Sequence, residues 1–448
     1  IQWFLKDLRG ITTPMRLSGK GTQARPFLIR SAEDLKLIAT NPRYQASHQV
    51  FRLENDIDFQ GDTIEPISLQ YKSFQGSFDG NQKTLSNFKI ENGVNQLGIR
   101  RGSIGLFHQL RRSQVSDLII ESATLVSTSA GGTLAGSVHS KTLIKNVTIS
   151  RSSFDSTDVA SGVSGSISHS KLTQIKVLDT NITGLSDFFG ISDALEESRL
   201  LQARVQGIHY DTQRWEGSQF YGLATLIDHS LVEQVQVEIN LEGRVQYASG
   251  FARSFFNSTI RDSLISGSFN LTAGISSHEI TGAFTRVFGA ISGHNLRPYI
   301  IQRVYSSLDI SLEAPGFSSM RRSSPFIGFL RGSDPSNSIQ DSFSTGSLII
   351  EGGGATQNEL FVGDYMDVSG GLDTFSNNTF SADAICTFEL QGQSPQNCSR
   401  TNTLLVASSM PPGTYENNTT SSQFVNWDFQ NVWQTNSTGN LLPRLRDW

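Results

Sequence analysis

The feature that most constrains this chain is that it repeats itself. IGLFHQLRRSQVSDLIIESATL from Ile104, GGTLAGSVHSKTLIKNVTISRSSF from Gly131, SGVSGSISHSKLTQIKVLDTNI from Ser161, GISDALEESRLLQARVQGIHY from Gly190, YGLATLIDHSLVEQVQVEINLEG from Tyr221 and GFARSFFNSTIRDSLISGSFNL from Gly250 share one pattern. Each opens on glycine or small residues, passes through a short apolar patch and a polar serine turn, and ends on an alternating strand. Weaker copies start near Ala283, ahead of YIIQRVYSSLDISLE, and at Pro325, where SIQDSFSTGSLIIEG closes the unit. The copies are contiguous at a period of roughly 27–40 residues, the mark of a repeat architecture.

Within a copy the hydrophobic period is two. Val235, Val237 and Ile239 alternate with Gln234, Gln236 and Glu238, and Ile144, Val147 and Ile149 behave similarly around Asn146 and Thr148, as in half-buried strands. A helical pattern is confined to Ser31–Ala39. Short strands without helical crossovers leave a propeller or a parallel β-helix. A propeller blade needs about 40 or more residues and four antiparallel strands. A β-helix coil needs fewer residues, in two or three strands, and suits the shorter copies. The expected fold is all-β: a single-stranded, right-handed parallel β-helix (a solenoid) with N- and C-terminal caps, its hand following from the crossover rule. Valine, isoleucine, leucine and phenylalanine are expected inside, and serine, threonine, asparagine and glutamine outside. Roughly nine coils make a rod on the order of 45 Å long. Residues 1–20 read as an N-terminal extension, 21–100 as a cap and first coils, 101–370 as central coils and 371–448 as C-terminal coils and cap.

Composition agrees. The 448 residues are 37% hydrophobic and 17% charged, where globular domains carry roughly 25% charged. Forty glycines disfavour coiled coils, and 28 phenylalanines supply a core that a disordered chain lacks. A net charge of −5 argues against a dedicated nucleic-acid binder. No apolar run approaches the ~18–20 residues that span a bilayer. Cys386 and Cys398 are the only cysteines. Two cysteines cannot make a four-ligand zinc site alone, so the pair reads as a local disulfide, with two free thiols as the alternative. A bridge implies an oxidising compartment, hence an extracellular or cell-surface chain. The start at Ile1, without Met or signal peptide, reads as a processed or excised piece. About nine Asn-x-Ser/Thr sequons occur, among them Asn146, Asn181, Asn257, Asn270 and Asn436. Many arise by chance in so Ser/Thr/Asn-rich a chain, so they are not taken as glycosylation sites.

The N-terminal stretch is more specific. GTQARPFLIRSAEDLKLIATNPRYQASHQVFRLENDIDFQGDTIEPIS precedes FQGSFDGNQKTLSNFKIE, then IGLF and SQVSDLIIESATL. This resembles the GLUG-repeat proteins, found in bacterial surface adhesins and in the non-catalytic part of some IgA-cleaving metallopeptidases. The matching positions are Pro26-Phe27-Leu28-Ile29, Leu53 through Phe59, and Phe74 through Gly80 with Thr84 to Asn87. The closing NWDFQNVWQTNSTGNLLPRLRDW resembles that family's aromatic strand pair ending in Pro-x-Leu-Arg. The resemblance covers nearly the whole chain, although full repeat starts appear only around Ile104, Gly132 and Gly162. It implies a secreted or surface recognition module, an adhesin or fibre component. The implied partner is a glycan or a surface protein of another cell, without nucleic acid or membrane insertion, in a homo-oligomer or larger fibre.

The residues offer several candidate sites. Asp56, Asp58, Asp62 and Asp79 are candidate calcium ligands, since a hard cation wants several oxygens; the alternative is strand-end capping. His278-Glu279 is half of a zinc-protease HExxH, but Gly282 stands where the second ligand belongs, so it reads as a coil turn. Neither a nucleophile elbow nor a P-loop occurs. Glycosidic hydrolysis needs two carboxyls within about 5–9.5 Å, for which Asp364 with Asp367, or Asp187 with Asp193 on neighbouring coils, are candidates. No dense charged cluster recurs at coil spacing, so the reading is non-catalytic, with a polysaccharide lyase or glycoside hydrolase as the alternative. The expanded turn Ile208–Gly222 carries Tyr210, Arg214, Trp215 and Tyr221 as candidate ligand-binding residues, with Phe220 beside them. Aromatic and arginine side chains are usual interface anchors; the alternative is a loop packing its tryptophan onto the rod. Trp427, Phe429 and Trp433 are expected to close the core at the C-terminal end. Trp3, Phe4, Leu5 and Leu8 are expected to cover the first coil or meet an upstream segment or partner chain.

Overall fold

A computed structural model describes residues 16–447 apart from 69–72, 92–103, 128–129, 157–158, 184–186, 211–218, 246, 274–298, 314–319, 322–323, 333–335, 352–354, 358–361, 368–373, 390–393, 399–406, 412–421 and 436–441. Trp3, Phe4, Leu5 and Leu8 lie outside the described residues, as do His278 and Glu279.

Among the described residues the one α-helix, Ala32–Thr40, is set by its cap: the Ser31 hydroxyl accepts from the Asp34 N–H, and Asp34 accepts from the Arg30 N–H. Apart from short 3-10 turns at Pro42–Gln45 and Ser422–Phe424, the regular structure described after it is strand. One representative coil runs through Val159–Ser161, Ser164–Ser168, Lys171–Leu178 and Asn181–Ile182. Each of these strands pairs in parallel with the coils on both sides. Ile167 is in register with Val138 and Leu195, and Ile175 with Val147 and Ala203. The stack is a parallel β-helix, as the repeats predict. The expected two or three strands per coil become four, because single residues are enough to turn the chain.

Those turning residues form three columns with positive φ. One comprises Arg112, Lys141, His169, Glu197, His229 and Asn257; a second bends the long strands at Asp117, Asn146, Gln174, Gln202, Gln234, Asp262 and Arg303 and continues between short strands at Asp341 and Asn377. The third holds Ser122, Arg151, Asp179 and Gly207. A left-handed conformation costs roughly 1–2 kcal/mol for a residue with a Cβ, and bonds between coils offset it. The His169 N–H donates to the Glu196 carbonyl (3.0 Å), Glu197 to Asp228 (2.9 Å) and His229 to Phe256 (3.0 Å). In the second column the side chains bond as well: Asn146 donates to Asp117 (2.7 Å), and Arg303 grips both Asp262 oxygens at 2.6 and 2.7 Å.

Inside, the apolar expectation holds: Val235, Val237 and Ile239 are fully buried. The expectation that serine lies outside is corrected. Ser113, Thr142, Ser170, Ser198, Ser230 and Ser258, each just after a first-column corner, are buried. Ser198 accepts from the Ser170 N–H, Ser230 from Ser198 and Ser258 from Ser230, at 2.9–3.0 Å. Each of these hydroxyls donates to the carbonyl two residues earlier in its own coil. A hydroxyl there satisfies a buried N–H that the turn leaves unpaired. The recurrent glycine has a different reason. A Cβ on Gly162, Gly190 or Gly222 would sit 2.2, 2.0 or 1.9 Å from the carbonyl oxygen of the glycine one coil on.

The C-terminal aromatics are also placed differently from expectation. Trp427, Phe429 and Trp433 do not close the end of the core. They pack with Phe424 and Leu445 in a separate cluster against Leu264, Tyr305 and Phe343. These last three are register neighbours on the outward face of successive coils. The Trp427 indole donates to the Asp341 carbonyl, Trp433 to Asp262, and Asp447 reaches Arg204 at 3.0 Å. The final segment is therefore a strap along the flank, placed where the outward column turns apolar and needs cover.

Two outcomes follow from this packing. Gly222→Ala should destabilise the chain by about 1–3 kcal/mol or more, read as a lowered melting temperature; an unchanged one would mean that the coils do not approach so closely. The second concerns Tyr305, whose hydroxyl burial pushes up to about 12. The folded state then holds this proton more tightly than the unfolded chain. Its contribution is full below pH 10 and is lost as pH rises from 10 towards 12, by roughly 2–3 kcal/mol. Tyr305→Phe should flatten that alkaline loss in denaturation profiles; identical profiles would place the phenol in water.

Candidate functional site

The expanded turn Ile208–Gly222 lies where one coil ends and the next begins. At its start His209–Tyr210 pairs with Asn181–Ile182, and at its end Gln219–Tyr221 pairs with Asp187–Phe189. The separation between stacked serines rises from 28 residues (Ser170 to Ser198) to 32 (Ser198 to Ser230), then returns to 28 at Ser258. The extra residues are thus inserted without disturbing the register on either side. Arg214 and Trp215 fall in 211–218, outside the described residues.

The base of the insertion is aromatic. Tyr210 is half-buried with its ring 5.9 Å from Phe220, which continues a buried ladder through Phe188 and Phe154 at 5.8 and 6.0 Å. Tyr221 is fully buried, stacked on Phe189 at 5.7 Å, and its hydroxyl donates to Gln219. The expectation that Tyr221 offers a ligand-binding face is corrected: its ring is part of the wall. Its position beside the buried Phe220, at the end of the strand Gln219–Tyr221, carries this role, which sequence composition alone does not separate from an exposed aromatic turn.

The four acidic candidates of the first coils each have local work. Asp58 accepts from the Gln60 N–H and the Asn87 amide, which hold its carboxyl below the usual range. Asp56 accepts from the Thr84 N–H, Asp62 pairs with Lys36 at 2.7 Å, and Asp79 accepts from the Asn81 N–H. An open depression lies beside Asp58, lined by Gln60, Gly61, Asn87, Phe88, Lys89, Ser122 and Thr124. Asp187 and Asp193 sit on consecutive strands of one coil rather than on neighbouring coils, and Asp187 accepts from the Gln219 N–H at 2.7 Å. Asp364 and Asp367 are in the strand Val362–Asp367, whose side chains are outside the description.

One corner gathers histidines. His169 meets Glu197 and His229 meets Asp228, both at 2.8 Å, while His139 contacts Ser168 at 2.9 Å. Burial, then the nearby Arg111, lowers the His139 pKa. Among the described residues, no three His, Cys, Asp or Glu side chains converge as metal ligands would. Cys386 and Cys398 are joined in a disulfide with Cα atoms 5.5 Å apart, which fits an oxidising compartment. No helix among the described residues is long and apolar enough to cross a membrane.

No family model matches the chain. Over 142 residues it is 31% identical to Halomucin of Haloquadratum walsbyi, a stretch that is 29% of this chain and 1% of that protein. The chain therefore spans a very small part of the relative it matches. Among solved structures, an IgA1 Protease aligns over 83% of this chain and 22% of its own, at 12% identity and a TM-score of 0.41.

Proposed function

We propose that this chain is a non-catalytic recognition module of a secreted or cell-surface protein, an adhesin or fibre component that presents loops from a β-helical rod to a glycan or surface-protein ligand. The observation that carries this reading is the insertion at 211–218: the rod keeps its register on both sides of it. Loops on such scaffolds vary without unfolding the core, and long loops are commonly functional. The disulfide supports an extracytoplasmic setting. Similarity to a small part of a far longer protein supports a module embedded in a larger polypeptide. Recognition in this reading draws on Trp215 and Arg214, with Tyr210 at the base, and on no cofactor.

The test is a glycan and surface-protein array probed with the purified chain, beside a reducing-sugar release assay on the same glycans. Binding without release is expected, and Trp215→Ala should abolish it while leaving the melting temperature nearly unchanged. Release of reducing ends would assign the chain to the glycan-cleaving enzymes instead, and silence on both panels would remove the recognition reading.

A further inference from the structure

Three successive strands of the long sheet, Leu143–Ser150, Lys171–Leu178 and Arg199–Gln206, hold Lys145, Lys171, Lys176, Arg199 and Arg204 and no carboxylate. In a chain of net charge −5 this is a local reversal of sign. Stacking concentrates it: Lys171 is in register with Arg199, Lys176 with Arg204, and Lys145 lies one coil below at the level of Thr173. Between the two sets of cations runs the turning column Asn146, Gln174 and Gln202. Lys145, Lys171 and Arg199 are exposed, and none has an acidic partner among the described residues. Three of the acids bounding the region are engaged elsewhere. Asp117 accepts from Asn146, Glu121 pairs with Arg151, and Glu233 pairs with Arg261 at 3.0 Å. The strap brings Arg444 and Arg446 to the same flank, with Asp447 on Arg204.

We propose that this corner binds an acidic polysaccharide laid along the rod axis. Coils repeat at ~4.8 Å, so a chain of regularly spaced carboxylates or sulfates meets a cation at each coil, while the corner amides face its hydroxyls. The strands present no aromatic side chain, which disfavours a protein partner anchored by tyrosine or tryptophan and a single-stranded nucleic acid held by stacking. The proposal rests on the recognition-module reading for the class of ligand, and it uses a face other than 211–218.

The experiment measures binding of the whole chain to polygalacturonate, dextran sulfate, neutral dextran and duplex DNA across a salt series. Tight binding to an acidic polysaccharide and none to neutral dextran is expected. The triple variant Lys145→Gln, Lys171→Gln, Arg199→Gln should bind at least ~10-fold more weakly, with a salt slope shallower by about one per cation removed. It should melt as the parent does, since all three side chains are exposed, and charge-conserving Lys↔Arg exchanges at these positions should keep binding. No binding to either acidic polymer, unchanged binding by the triple variant, or equal affinity for duplex DNA would each overturn the proposal. Array binding that survives the triple variant but not Trp215→Ala would overturn it while leaving the module reading intact.

Discussion

The whole rod depends on one arrangement: a single residue turns the chain, and its backbone N–H is satisfied by the next coil rather than by its own. A coil closed this way has no hairpin to hold it and cannot stand alone. Its turning N–H groups, its buried serines and its apolar ladders are all completed by a neighbour, as in repeat proteins whose stability is carried by the interfaces between units. The same closeness explains the glycine before each apolar patch. Where coils approach within contact of a carbonyl oxygen there is no room for a side chain at Gly190 or Gly222.

Much of this was legible in the sequence, because side chains that alternate in and out leave a period of two. Val235, Val237 and Ile239 are inward as their spacing predicts, the helix starts at its Ser31 cap, and the two cysteines form their bridge. The repeat length also reported the stack. What was not legible lies where one residue type serves two environments. Serine after a corner looks like an exposed turn, yet Ser198 and Ser230 are interior because they accept a neighbour's N–H. Tyr221 looks like an exposed loop aromatic, yet it stacks on Phe189. The closing tryptophans are apolar enough for either the end or the flank; only the register of Leu264, Tyr305 and Phe343 shows that the flank needs them. The expectation that no charged cluster recurs at coil spacing is corrected as well: Lys145, Lys171 and Arg199 stand far apart in sequence and meet only through stacking.

This division of labour bears on function. The inward columns and the turning N–H groups are committed to holding coils together, so they leave little freedom for chemistry. The outward columns are free to change from coil to coil, and they do: cationic through the middle, apolar under the strap, interrupted by an insertion after Tyr210. A rod of this kind separates stability from recognition, which places candidate contacts on corners and inserts rather than in a cavity.

The most direct test of the account is residue-resolved hydrogen exchange on the intact chain, read at the turning residues of the central coils. Lys141, His169, Glu197 and His229 carry exposed or half-buried side chains at a surface corner, yet their amides donate to the next coil. The account predicts that these amides exchange as slowly as those of the adjoining strands and open together with them, as one cooperative unit. Exchange at the rate of ordinary surface turns, while the strands stay protected, would contradict it.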